Sequence, residues 1–294
     1  FTRTSDVWRV EGAAHVKNGR FAYEPRRFAA NGVSLRTEVD GNLFSPRATF
    51  RLTTGEVRLL SQNVASSVWE GELVDDTISF TTGRALLSGG GAVRVTGRVP
   101  LREVHLLLAG GDPDLEFELS DVPITILEEL IPGLTVTGGH IEGRGNLELK
   151  HGNFSSGGQL RLRECIFTYE GVDTRIGPVN GTVDLSHDSL LLRRVEGRMG
   201  EGTFYVSGAV ILRPGSRRRW DLRLEADRVS AALADLAVVR VKTADVRFCT
   251  TEAGYLLKGD IALNRTEVFR DIWIPGLLDM ARGKHREAGV PGGF

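Results

Sequence analysis

The stretch Asp114-Leu115-Glu116-Phe117-Glu118-Leu119 alternates charged and apolar residues without a break. Period two places Leu115, Phe117 and Leu119 on one side of an extended chain and the carboxylates on the other. The same text returns as Asp221-Leu222-Arg223-Leu224-Glu225-Ala226. Ile78 and Phe80, Val93 and Val95, Leu147 and Leu149, and Leu160 and Leu162 sit in similar alternation with Thr, Ser, Arg, Glu or Lys. Strands with one dry and one wet face belong to antiparallel sheet, because doubly covered parallel strands read as continuous apolar runs.

Between these runs stand Asp40-Gly41-Asn42, Gly89-Gly90-Gly91, Gly110-Gly111-Asp112, Asn180-Gly181 and Pro214-Gly215. Residues of these types tolerate the backbone of tight turns, so the reading is a meander of short strands. Helix signal is sparse. Val122 to Leu130, Val229 to Val239 behind a Ser230 cap, and Val268 to Arg282, broken by Pro275-Gly276, are the three helices expected.

The chain repeats itself. Gly89-Gly90-Gly91-Ala92-Val93-Arg94-Val95-Thr96-Gly97 returns as Gly200-Glu201-Gly202-Thr203-Phe204-Tyr205-Val206-Ser207-Gly208, and the order of later segments is kept. A shorter echo joins Gly19-Arg20-Phe21-Ala22-Tyr23 with Cys165-Ile166-Phe167-Thr168-Tyr169. The unit is roughly 105–110 residues of several strands and one helix. It divides the chain into a first partial repeat over 1–74, a second over 75–180, a third over 181–267 and a helical linker over 268–294.

Bulk composition excludes several classes. In 294 residues, Lys plus Arg is 37 against 38 Asp plus Glu, so there is no field for nucleic acid. No window reaches the ~18 apolar residues of a membrane helix, and no signal peptide opens the chain. Phe1 at the start and two internal methionines read as a piece of a longer protein. Cys165 and Cys249 are too few for a disulfide framework or a zinc site.

A single long sheet with one dry face must close into a barrel, pair as a sandwich, or curl into a trough. Repeats favour the trough, which can be extended strand by strand; about 16–20 strands at ~4.8 Å each would span on the order of 80–95 Å. The expected architecture is mainly β: an elongated curled antiparallel sheet with a few short helices. A trough not filled by its own side chains is an apolar groove suited to acyl chains, at roughly 0.8 kcal/mol per buried CH₂. The alternative is a structural or adhesive sandwich or solenoid with a self-filled core.

Gly200 to Gly208, the segment from Gly158 through Leu185, and Arg270-Asp271-Ile272-Trp273-Ile274-Pro275-Gly276-Leu277-Leu278 together resemble the AsmA-like superfamily. Within it, the chain is most similar to the TamB-like translocation and assembly module proteins. The resemblance covers most of the chain, best from about residue 75 to 265. It implies a periplasmic β-taco in a protein anchored in the inner membrane by an N-terminal helix outside this piece. It further implies phospholipid transfer between membranes in support of outer-membrane biogenesis, with an outer-membrane barrel of the Omp85 class as partner.

The residues expected to line the groove are Ile78, Phe80, Val93, Val95, Leu106, Leu108, Leu115, Phe117, Leu147, Leu149, Leu160, Leu162, Phe167, Val183, Leu185, Leu190, Leu192, Phe204, Val206, Leu222, Leu224, Val246 and Phe248. Their partners would be phospholipid acyl chains; no cofactor, metal or nucleic acid is called for. No catalytic constellation stands against this. The six histidines (His15, His105, His140, His151, His187 and His285) form no metal-binding pair, and there is no G-x-S-x-G elbow or P-loop. Arg217-Arg218-Arg219 reads as a solvated turn, with lipid headgroups as its functional alternative. An enzyme is not expected.

Overall fold

The computed structural model describes residues 2–4, 7–23, 28–42, 45–59, 62–100, 113–131, 133–150, 153–211, 219–234, 236–252 and 254–269. Eighteen strands form one sheet. They are β1 (Thr2–Thr4), β2 (Val7–Tyr23), β3 (Phe28–Asn42), β4 (Ser45–Thr54), β5 (Val57–Leu59), β6 (Gln62–Val74), β7 (Thr77–Leu87), β8 (Ala92–Pro100) and β9 (Asp114–Pro123). Then come β10 (Leu134–Lys150), β11 (Asn153–Tyr169), β12 (Val172–His187), β13 (Ser189–Met199), β14 (Gly202–Ile211), β15 (Arg219–Asp227), β16 (Ser230–Leu233), β17 (Ala237–Thr251) and β18 (Gly254–Val268).

Every pairing is antiparallel, and the sheet runs as a meander. Two rows are split: β4 and β5 share the place between β3 and β6, and β15 and β16 lie end to end along β17. The result is an elongated, curled, mainly antiparallel sheet. Counting each split pair as one row gives a length of roughly 70 Å at ~4.8 Å per row.

The echoes in the sequence share structural irregularities. The register between β7 and β8 slips between Phe80 and Gly83; that between β13 and β14 slips between Leu192 and Val195. The exposure along β7 matches that along β13 residue by residue. In the shorter echo, β2 slips against β3 at Val16/Gly19 and Gly19/Phe21, and β11 slips against β12 at Leu162/Cys165 and Cys165/Phe167. A bulge bends its strand and raises the local twist, so these repeated slips recur as repeated bends.

Several sequence expectations need correction; among them, Asp40-Gly41-Asn42 is not a turn but the paired end of β3, opposite Ser45–Arg47. The helix expected over Val229 to Val239 is instead β16 followed by the start of β17, because Ser230–Leu233 ladders onto Ala237–Arg240. Backbone pairing here overrides the helix preference of the Ala/Leu run. Asn180-Gly181 is not a turn; both lie inside β12, where Gly181 sits opposite Val195. The segment after Val122 is helical only from Ile124: a 3-10 turn (Ile124–Ile126) runs into α1 (Leu127–Leu130). Of the helix expected over Val268 to Arg282, Val268 is the end of β18 and residues 270–282 lie outside the described ones, as do the Gly110 and Pro214 turns. The glycine turn stands as expected: Gly90 N donates to Leu87 O at 3.1 Å, between β7 and β8.

The polar face carries a lattice of exposed ion pairs. Between β15 and β17, Arg223 and Arg247 lie directly opposite each other, an unfavourable arrangement alone. Each reaches diagonally to a carboxylate: Arg223 to Asp245 at 2.6 Å, Arg247 to Asp221 at 2.8 Å. These bonds hold the Asp221 and Asp245 carboxyls below the usual carboxylate range. Similar pairs join Arg47 to Glu72 and Arg51 to Glu70 across β4 and β6.

Candidate apolar groove

The inner face can be traced strand by strand from residues that stand directly opposite. Val16, Leu35, Leu52, Trp69, Gly83, Val95, Phe117, Gly145, Gly158, Leu185, Leu190, Val210 and Trp220 form one unbroken cross-strand row from β2 to β15. No side chain in the row is charged. Thirteen rows at ~4.8 Å give an apolar lane of roughly 60 Å. The indole N–H of Trp69 donates to Ser67 Oγ at 2.9 Å.

Glycines keep this lane low. A Cβ on Gly145 would stand 2.8 Å from Phe117 Cζ, and one on Gly83 would stand 2.6 Å from Trp69 Cε3. Each ring therefore lies over the neighbouring glycine. Phe80 packs edge-on against Trp69 (centroids 5.7 Å apart) and Phe50 (6.0 Å), an arrangement that aromatic quadrupoles favour.

Beside the lane, nearer the 3-10 turn, the same face is filled by the protein itself. Ile124 and Cys165 are fully buried, with Ile141, Val179 and Val195 completing a cluster. The chain leaves β9 at Pro123, which has no N–H to extend the ladder, and drops Ile124 onto the inner face. Glu128 fixes the segment by accepting a hydrogen bond from Val136 N at 2.7 Å. We call this filled zone the hem. Farther along, Ala232 N donates to Thr174 Oγ1 at 2.7 Å, tying β16 to β12.

The residues expected to line the groove divide accordingly. Ile78, Phe80, Val95, Leu115, Phe117, Leu147, Leu185 and Leu190 are half-buried on the inner face, in or next to the lane. Val93 and Val183 are one step closer to the hem. Leu160, Leu162, Phe167, Leu192, Phe204 and Val206 pack against the filled cluster, so they belong to a core and not to an open floor. Leu222, Leu224, Val246 and Phe248 continue the face onto β15 and β17, where Val246 is buried and Leu224 exposed. Leu149 is placed only by its backbone, opposite Phe154, and Leu106 and Leu108 lie outside the described residues.

The sequence reading missed Leu35, Leu52 and Trp69, because the inward Thr37 and Gly71 interrupt the alternation there. It also missed Ile124, whose burial depends on where the short helix lands.

The chemistry of other groups is quiet. Cys165 and Cys249 are free thiols. Burial pushes the Cys165 thiol up, away from the reactive thiolate. On the polar face, a hollow of about 610 Å³ is lined by His140, Arg161, Arg163, Glu164, Asn180 and Thr182. Both arginines pair with Glu142, and Glu164 lines the same hollow, so two carboxylates offset the two guanidinium charges. Among the described residues, no group of three or more His, Cys, Asp or Glu could hold a metal, and no helix is long and apolar enough to cross a membrane. No family model, curated protein or solved structure matches this chain.

Proposed function

We propose that the curled sheet holds phospholipid acyl chains against its inner face and acts as a segment of an intermembrane lipid-transfer bridge in the periplasm. The observation that carries the reading is the uncharged cross-strand row from Val16 to Trp220. An occupant of such a lane meets no charged group over roughly 60 Å, which suits an alkyl chain and not a peptide backbone. Burying apolar surface there gains about 25 cal/mol per Å². The inner-membrane anchor and the Omp85-class barrel belong to this reading through the family resemblance alone.

The test is phospholipid extraction from the protein purified from a diderm envelope. The wild-type chain should retain phospholipid, and Val95→Asp should retain at least tenfold less while keeping its strand circular dichroism. Equal retention by both would remove the groove as the binding site.

A second reading has an observation in its favour. The hem is a self-filled core, as a structural sandwich would be. Under that reading the wild-type chain carries no lipid at all.

A further inference from the structure

The filled hem and the open lane sit on the same face, and only one of them has room for a guest. We infer that acyl chains run in the lane alone, over Val95, Phe117, Leu185 and Leu190, and are excluded from the hem by Ile124. This rests on the lipid reading above and assigns the subsite within it.

Three observations carry the assignment. Ile124 is fully buried against Ile141, Val179 and Val195, so the floor beneath it is occupied. Interiors of this kind are close-packed, and inserting further methylenes forces strain. In the lane, Phe117, Leu185 and Leu190 are only half-buried, and none belongs to the cluster. The Phe117 ring lies over Gly145, and Gly158 adds no side chain beside it. Over Val95, Phe117, Leu185 and Leu190 the lane is thus shallow, apolar and only half-covered, while Val210 farther along is buried, and the hem beside it acts as a fixed wall. An uncharged alkyl chain is the occupant whose chemistry matches a row without charge; a polypeptide strand would leave its own N–H and C=O groups unpaired over this surface.

The experiment places a small diazirine-bearing aliphatic residue at Leu185 or Leu190 in the lane, and at Leu162 or Val206 against the hem. Arg94 serves as the outward control. Each full-length variant is expressed in a diderm envelope, irradiated, purified and analysed for covalent phospholipid. The replacements at the Leu and Val positions are close to isosteric, and an unchanged thermal midpoint identifies the folded variants, the Arg94 control included. Lipid should be captured at Leu185 and Leu190 at least tenfold more than at Leu162, Val206 or Arg94. Equal capture at the lane and hem positions overturns the subsite assignment and leaves the lipid reading standing. No capture at any position in folded protein overturns both.

Discussion

The unit β7–β10 and the unit β13–β17 begin alike and end differently. Both open on a strand pair with the same bulge, at Phe80/Gly83 and at Leu192/Val195. Both then place a glycine at positive φ, Gly97 at 126° and Gly208 at 130°, where a Cβ would run into the carbonyl oxygen of Asp114 or Asp221. Both kink at a non-glycine residue with φ 51°, Asp121 and Arg228. Two residues later the paths part. Pro123 ends the ladder, and the chain turns as a 3-10 helix onto the inner face; after Ser230 the chain instead pairs as β16, with Ala231 opposite Val239. Strand pairing and bulges thus set the sheet, while the two connections differ in whether the chain turns onto the face or pairs as a further strand.

The largest way to break this comparison is at the plug. Ile124→Ala should cost about 2–5 kcal/mol, since the buried side chain leaves a cavity under a short segment. Its counterpart Ala231→Gly should cost about 1 kcal/mol or less. Urea midpoints of the two variants measure the contrast, and equal losses would mean that the two connections do the same structural job.

Next come the shared glycines. Gly97→Ala and Gly208→Ala should each destabilise by about 3 kcal/mol, because both force an L side chain into a glycine-only conformation against a carbonyl. Equal shifts in thermal midpoint sharpen the equivalence of the units; a shift at one alone breaks it.

Ala231→Pro, which removes an N–H facing β17, should convert the second connection toward the first. The loss should be about 1–3 kcal/mol, with faster amide exchange at Ala237–Arg240, the strand segment that β16 covers. Unchanged protection there would mean that β16 is held by something other than its ladder.

The smallest effect is on the polar face. Asp221 and Asp245 have folded carboxyls held below the ordinary range by Arg247 and Arg223. A depressed folded pKa contributes stability above the unfolded value and loses it as pH falls through the folded one. The gap in thermal midpoint between wild type and Asp221→Asn should therefore exist at neutral pH. It should close as pH falls below about 4, the ordinary carboxylate range. It should also shrink in high salt, since these pairs are exposed.

Much of the sheet was legible because period two is local: Leu115, Phe117 and Leu119 declare their face within six residues. The echoed bulges were legible as repeated text around Gly97 and Gly208. What escaped was tertiary. Nothing near Leu160, Leu162 or Phe204 marks them as packing against a filled cluster instead of lining a free floor, because that cluster is assembled from several strands and the turn at Ile124. The β16 error has the same cause. The Ala/Leu run after Ser230 favours a helix in isolation, and a ladder with Ala237–Arg240 outweighs that preference.

The most direct test of the open lane uses methyl-labelled Leu and Val and a phospholipid bearing a spin label midway along one acyl chain. Methyl resonances of Val95, Leu185 and Leu190 should broaden on titration, while those of Val179 and Val195 in the hem and Leu256 on the opposite face of β18 stay sharp. Broadening spread equally over the hem and the outer face, or absent everywhere in the folded protein, would contradict the account.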